Sequence, residues 1–193
     1  LRHAVITSVD RDDLPDGGAS LWAETIRAVH ATSPGTTIEA LVPDFKGCRD
    51  DLRTVVDASA EVLSHNIETV RRLTPQVRVQ ARYERSLEVL RMMKELGALR
   101  TKSGLMLGLG ETEQEVLQTL SDLREASVDI VTIGQYLQPT RKHLPVQQYV
   151  HPDIFARYRR DALAMGFRYV QSGPLVRSSY HAAEQVFPLD PAE

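Results

Sequence analysis

Three polar residues have side chains that suit the binding of a small polar ligand. Asn66 and Glu68 stand two positions apart at the end of a predicted strand, so both side chains point to the same side of the chain. An amide and a carboxylate together donate and accept hydrogen bonds, as a ribose or an amino-acid group requires. Arg82 can bind a carboxylate through two hydrogen bonds. The alternatives are that Asn66 caps a helix and that Arg82 is solvated.

A glycine-rich segment, residues 104–111, follows a second predicted strand and precedes a helix. Glycines such as Gly108 allow a ligand to approach the backbone, and the start of the helix offers free amide donors. The spacing is not that of a dinucleotide-binding fingerprint. A plain turn between a strand and a helix is the alternative interpretation.

Metal-binding patterns are weak in this sequence. Four aspartates of one loop suggest a hard-cation site but lack the spacing of a calcium-binding loop, which favours a solvated or salt-bridged loop instead: Asp10, Asp12, Asp13 and Asp16. Four histidines lie on separate segments, which makes a zinc site improbable: His65, His143, His151 and His181. The single cysteine, Cys48, forms no disulfide within the chain and cannot supply the several thiolates of a four-iron cluster.

The overall composition predicts one globular domain. The chain has 193 residues, 23 of them basic and 26 acidic, with a formal net charge of −3. This balance gives no broad positive field, so we expect no nucleic-acid partner. No apolar run reaches the roughly 20 residues of a membrane span, so we expect no membrane insertion.

Short apolar runs alternate with helical patterns along the whole chain, which predicts a parallel α/β fold. We expect strands at residues 3–9, 37–42, 61–65, 101–107, 130–134 and 168–171. We expect helices at about 84–96, after a capping box of Thr112 and Glu115, and from about Asp153, the last preceded by a loop over 138–152. Periodicity does not choose between an open sheet and a barrel, but polar or glycine-bearing residues follow every strand, as on the active face of a TIM-like barrel.

Five segments in order resemble the lipoyl synthases, a family of radical S-adenosylmethionine enzymes. They are TSVDRDDLPDGG at 7–18, LVPDF at 41–45, TKSGLMLGLGE at 101–111, GQYLQPT at 134–140 and VRSSYHA at 176–182. The resemblance implies a partial TIM-like parallel (β/α) barrel of the radical SAM type that lacks its first βα unit. It also implies one barrel fragment over 1–193, in which 172–193 is a C-terminal extension carrying the Arg-Ser-Ser-Tyr motif.

The resemblance implies two four-iron, four-sulfur clusters and S-adenosylmethionine as cofactors. Ser179 of the terminal motif is expected to bind the auxiliary cluster, with Ser178 as the alternative, and Arg177 is expected beside the cluster or the substrate. Contacts to S-adenosylmethionine are expected from seven residues: Asn66, Glu68, Arg82, Met106, Gly108, Glu111 and Gln135.

The family activity is the insertion of two sulfur atoms into an octanoyl chain attached to a carrier-protein lysine. Implied partners are octanoylated lipoyl domains of 2-oxoacid dehydrogenase complexes or the glycine cleavage H protein, and an electron-donor protein. The implied location is the cytoplasm, or a mitochondrion or plastid in a eukaryote. Because the cluster cysteines are absent, we expect this chain alone to be inactive. The alternatives are a non-catalytic remnant that binds a nucleoside or carrier protein, and a divalent-metal barrel lyase that uses Lys102, Glu111 and the acidic loop.

Overall fold

A computed structural model describes residues 1–78 and 80–186 of the chain. Its centre is one sheet of six parallel strands whose spatial order is the order of the chain. The strands are β1 (His3–Thr7), β2 (Thr37–Leu41), β3 (Val62–Ser64), β4 (Thr101–Leu107), β5 (Ile130–Gln135) and β6 (Tyr169–Gly173). All six predicted strands are therefore present, with ends that differ from the prediction by at most two residues.

Helices connect the strands in the alternating pattern that the sequence predicts. They are α1 (Ala19–Thr32), α2 (Arg49–Val56), α3 (Thr74–Val77), α4 (Tyr83–Glu95), α5 (Glu113–Glu125) and α6 (Pro152–Ala164), with 3-10 turns at Phe45–Gly47 and Ala182–Gln185. The predicted capping box at the start of α5 is confirmed, because Thr112 and Glu115 each bond the backbone amide of the other. None of these described helices is long and apolar enough to cross a membrane.

The order of the strands decides between the two parallel architectures that periodicity leaves open. In a doubly wound sheet the order reverses at a switch point, whereas here it runs from β1 to β6 without reversal. Crossovers of one hand then place all connecting helices on one side of the sheet and curve it, as in a TIM barrel. The predicted partial barrel is confirmed.

Apolar side chains between the helices and the convex face of the sheet form the main core. Ile26 of α1, Leu90 of α4 and Leu120 of α5 are each fully buried there. On the concave face the strands carry small and polar residues instead, including Ser64, Thr132 and glycines. The helices hold the sheet in shape, and the concave face remains for a ligand.

The C-terminal segment, residues 174–186, follows β6 and lies along the concave face. Its Val176 approaches Gly134 near the carboxyl end of β5, and its Val186 packs on Val62 and Ile130 at the amino ends of β3 and β5. The predicted extension 172–193 begins within β6, which ends at Gly173, and residues 187–193 lie outside the described part. The terminal motif thus lies on the concave side of the sheet, where Ser178 is half-buried and Arg177, Ser179 and Tyr180 are exposed.

Candidate functional site

A cavity of about 280 Å³ opens between the carboxyl ends of the strands and the C-terminal segment. Its lining comes from the loop after β3, from β4, from β5 and the residues that follow it, and from that segment. It includes Asn66, Glu68, Met106, Thr132, Gln135, Leu137, Arg177 and Ser178. Ligands of parallel α/β proteins bind at this edge of the sheet. Five of the nine predicted site residues therefore share one cavity: Asn66, Glu68, Met106, Gln135 and Arg177.

Asn66 and Glu68 are held together on the floor of this cavity by their backbone and by each other. The amide of Glu68 donates to Gly104 at 2.9 Å, its carbonyl accepts from Met106 at 2.8 Å, and its φ of 66° is in the left-handed region. The Asn66 side-chain amide donates to Glu68 Oε1 at 3.1 Å. No described helix starts at Asn66, so the capping alternative is wrong.

The electrostatics of this pair favour a ligand that donates hydrogen bonds. Asn66 Oδ1 is buried without a partner among the described residues, which is costly unless a ligand or water supplies a donor. Burial raises the pKa of Glu68, against smaller opposing effects of Asn66 and Arg78. Arg78 donates to the Asn66 backbone carbonyl at 3.0 Å. The sequence analysis did not single out this arginine.

Two glycines keep the cavity open. A Cβ on Gly104 would lie 2.8 Å from Asn66 Oδ1, and a Cβ on Gly134 would lie 2.2 Å from the Val176 carbonyl oxygen. Real Cβ atoms do not approach other atoms so closely, so any side chain here displaces either the asparagine or the C-terminal segment. Gly134 stands next to the predicted Gln135, but its role depends on a chain segment more than 40 residues away and had no local signal.

Three of the predicted residues support the walls of the site through bonds within the protein. Gln135 donates to the Gln148 carbonyl at 3.0 Å and accepts from Val150 at 2.9 Å, so it holds the loop between β5 and α6. Glu111 accepts from the amides of Gly108 at 2.5 Å and Leu109 at 2.9 Å. Gly108 has a φ of +100° and no room for a Cβ. Direct contact of these three with a cofactor stays a prediction.

Arg82 and Ser179 do not line the cavity. Arg82 is exposed and precedes α4, as its N-cap. Ser179 is exposed, whereas its neighbour Ser178 lines the cavity. Their predicted binding roles are untested by this arrangement.

Several charges of the acidic loop and of a second concavity are paired. Asp12 pairs with Lys46 at 3.1 Å and Asp13 with Arg11 at 2.6 Å, which confirms the salt-bridged interpretation of the loop. Arg11, Asp12 and Lys46 line a larger concavity of about 570 Å³. Arg85 pairs with Asp44 in the same concavity. Among residues 1–78 and 80–186, no group of three or more His, Cys, Asp or Glu side chains is placed to hold a metal ion.

A buried ion pair of Lys102 and Glu39 lies on the concave face. The sequence analysis named Lys102 only for the alternative lyase and did not single out Glu39. Lys102 Nζ contacts Glu39 Oε2 at 2.8 Å, and both side chains are completely buried. Ser64 of the intervening strand donates to the other oxygen of Glu39 at 3.1 Å. Burial lowers the pKa of Lys102, and the charge of Glu39 opposes this effect.

Comparison with known proteins identifies the family of this chain. Residues 1–123 match the Radical SAM superfamily. The chain belongs to the radical SAM superfamily. The structural neighbours agree: methylornithine synthase (PylB) superposes with a TM-score of 0.67 at 16% identity, over 100% of this chain and 63% of that one. HydG, a maturase of the FeFe hydrogenase, gives 0.64 at 12% identity, over 88% of this chain and 45% of that one.

Within the radical SAM superfamily, the chain is most informatively compared with the lipoyl synthases. It is 61% identical over 186 residues to the lipoyl synthase of Flavobacterium johnsoniae, 59% identical to the mitochondrial lipoyl synthase of Nematostella vectensis, and 63% identical to that of Rubrobacter xylanophilus. Each alignment covers 96% of this chain but 65%, 64% and 58% of the relative. The predicted resemblance is confirmed, and the chain spans less than two thirds of these relatives' length.

The radical SAM family implies S-adenosylmethionine and an iron–sulfur cluster, and the residues present fit only the first. Asn66 Oδ1 lacks a partner, and Gly104 leaves space beside it that a Cβ would fill. Such a cradle suits the polar groups of a nucleoside or an amino acid. A cysteine-ligated cluster does not fit, because Cys48 is the single cysteine and is exposed, and no group of three or more His, Cys, Asp or Glu side chains among the described residues is placed to hold a metal.

Proposed function

We propose that this chain is the S-adenosylmethionine-binding part of a lipoyl synthase, which inserts two sulfur atoms into an octanoyl chain on a carrier-protein lysine. One observation carries the proposal. Arg177 and Ser178 of the Arg-Ser-Ser-Tyr motif line the same cavity as Asn66 and Glu68. A motif at the end of the chain and a polar pair in its middle thus face one ligand space, in a chain 61% identical to a lipoyl synthase.

The residues of this chain would bind and orient the cofactor rather than react. S-adenosylmethionine supplies radical C–H activation when it is bound in a complete site. Asn66 Oδ1 would accept a hydrogen bond from it and Glu68 another, while Met106 would line the adenine region. Gly108, Glu111 and Gln135 would contribute through the backbone and loop that they hold, and Arg82 would act from outside the cavity lining.

Ser179 is proposed as the oxygen ligand of the auxiliary cluster, with Ser178 as the alternative. Ser179 is exposed and follows Ser178, which lines the cavity. An oxygen ligand binds iron more exchangeably than a thiolate does, which suits a cluster that is consumed. Arg177 would lie beside the cluster or the octanoyl substrate.

Partners and compartment follow from the same proposal. The substrates would be octanoylated lipoyl domains or the glycine cleavage H protein, and an electron-donor protein would supply reducing equivalents. The compartment would be the cytoplasm or, in a eukaryote, a mitochondrion or plastid. The mitochondrial relative of Nematostella vectensis supports the second possibility.

Binding of S-adenosylhomocysteine to the 193-residue chain tests the cavity. Isothermal titration calorimetry should show binding by the wild-type chain. Asn66→Ala should weaken this binding by about tenfold, because the side-chain amide loses its hydrogen bond to the ligand and its hydrogen bond to Glu68. Gln147→Ala, which changes an exposed amide of the loop, is the control and should bind normally. Equal affinity of Asn66→Ala and the wild type would contradict the assignment of the cavity.

Product formation tests the activity. The gene is expressed with all of its coding sequence, reconstituted anaerobically with iron and sulfide, and supplied with an octanoylated carrier domain and S-adenosylmethionine. We expect lipoyl product from the wild type, its loss in Ser179→Ala, and normal early turnover in Ser178→Ala. Full product formation by Ser179→Ala would reject Ser179 as the ligand. The 193 residues alone should form no product.

A further inference from the structure

The ion pair of Lys102 and Glu39 has a position that barrel stability does not explain. The two side chains come from β4 and β2 and meet across β3, with no exposed surface on either. Burying two charges costs desolvation that their attraction rarely exceeds, and apolar residues of similar size often stabilise such a site better. A charged pair at this depth therefore calls for a contact that apolar side chains cannot make.

The ammonium group of Lys102 makes such a contact with the C-terminal segment. Lys102 Nζ donates to the carbonyl oxygen of Ser178 at 2.5 Å. That carbonyl belongs to the peptide bond that joins Ser178 to Ser179. Because the peptide unit is planar, one strong hydrogen bond to its oxygen orients the whole unit and the Cα of Ser179.

The rest of this part of the segment is held weakly. Arg177 reaches the Gln135 carbonyl only at 3.5 Å, and Leu175 is 79% exposed. Tyr180 and Ala182 donate their amides back to Arg177 and Ser179 within the segment itself. Among the described residues, Lys102 is therefore the main polar link between the sheet and the Arg-Ser-Ser-Tyr motif.

We propose that Lys102 is a positioning residue, oriented by its contact with Glu39, and that it sets the position of the peptide between Ser178 and Ser179. The proposed positioning of the C-terminal segment follows from the contact between Lys102 and the Ser178 carbonyl alone. Its consequence for Ser179 as a cluster ligand rests on the proposed function. Glu39 in turn is oriented by Ser64, which completes a chain of contacts from β3 to the motif.

Hydrogen exchange of the full chain tests this proposal. Lys102→Met alone leaves Glu39 buried and unpaired, so it is expected to unfold the barrel. The double variant Lys102→Met/Glu39→Gln removes both charges and should fold, but it cannot donate to the Ser178 carbonyl. In it we expect the amides of Tyr180 and Ala182 to exchange about tenfold faster, while those of β4 and β5 change by less than about twofold.

A second ion pair, at the amino-terminal end of β4, provides the control. Lys94 Nζ lies 2.9 Å from Asp129 Oδ2. Because this pair does not contact the motif, Lys94→Met should leave amide exchange at Tyr180 and Ala182 unchanged. Wild-type exchange at both amides in a folded double variant would overturn the positioning role. Faster exchange combined with full product formation by Ser179→Ala would support the role of Lys102 while rejecting Ser179 as the ligand.

Discussion

The side-chain amide of Asn66 donates to the Glu68 carboxylate at 3.1 Å, while the carbonyl oxygen of the same amide has no partner among the described residues. One end of the amide is thus used to hold Glu68, and the other faces the cavity over Gly104. This polarity makes the pair an acceptor surface. It also makes the protonation of Glu68 matter to the stability of the fold.

Replacing Glu68 with glutamine should stabilise the chain at neutral pH. Burial raises the pKa of Glu68 above its ordinary value of 4.5, so the folded state favours the neutral acid. Wild-type stability from this group is fully present below about pH 4.5 and is lost as the pH rises through the raised pKa. In urea unfolding, Glu68→Gln should equal the wild type at pH 4 and exceed it progressively above, by at most about 1.4 kcal/mol per pH unit.

Glu88→Gln on the exposed face of α4 controls for the loss of one negative charge and should show no such pH-dependent gain. A constant difference between Glu68→Gln and the wild type from pH 4 to pH 8 would contradict the raised pKa.

Replacing Gly134 with alanine should displace the C-terminal segment. The new Cβ would meet the Val176 carbonyl oxygen at 2.2 Å, and a backbone atom cannot rotate away as a side chain can. Overpacking of this kind costs about 1–3 kcal/mol. The free energy of unfolding should fall by that amount. Gly35→Ala, in open space, should change it by no more than about 1 kcal/mol, and equal effects of the two variants would count against the contact.

Replacing Gln135 with leucine should release the loop between β5 and α6. The amide side chain accepts from Val150 at 2.9 Å and donates to the Gln148 carbonyl at 3.0 Å, and leucine retains neither bond. We expect the Val150 amide to exchange with solvent about tenfold faster or more. Gln147→Ala, which alters an exposed side chain of the same loop, should leave that amide protected. Protection of Val150 in both variants would show that other contacts hold the loop.

Replacing Arg72 with methionine should raise the pKa of Glu115. The Arg72 guanidinium bonds this carboxylate at 2.6 and 3.0 Å and, together with the Thr112 amide, lowers its pKa from 4.5 to about 2. The stabilisation that the wild type gains from Glu115 is therefore present above pH 4.5 and lost as the pH falls toward 2. NMR titration of the Glu115 carboxyl carbon measures the shift.

Arg49→Met is the control for that titration, since Arg49 pairs with Glu95 on a different helix. The titration of Glu115 should be unchanged by it. If Arg72→Met also leaves the Glu115 titration at its wild-type position, the capping box alone accounts for the low pKa.

Local patterns in the sequence were sufficient for the elements and for part of the site. The capping box of Thr112 and Glu115 and the six strands depend on residues near each other in the chain, so they are readable without the fold. Asn66 and Glu68 were identified from strand alternation, but β3 ends at Ser64 and Glu68 has a left-handed φ of 66°, so their pairing depends on the backbone contacts of Glu68 with β4. Arg82 was chosen as a carboxylate-binding arginine, yet it does not line the cavity, while Arg78 contacts Asn66. No local pattern in the sequence distinguishes the arginine that contacts Asn66 from the one that precedes α4.

By itself, therefore, the sequence determined the alternation of strands and helices, the polar strand ends and the likeness to lipoyl synthases. The tertiary structure decided that the strands follow one another around a partial barrel and that the terminal motif lies on its concave face. It also decided that Lys102 meets both Glu39 and Ser178, which are 63 and 76 residues away. Periodicity and caps reflect interactions over a few residues, whereas these contacts depend on strand order and register, which are set only when the whole sheet assembles.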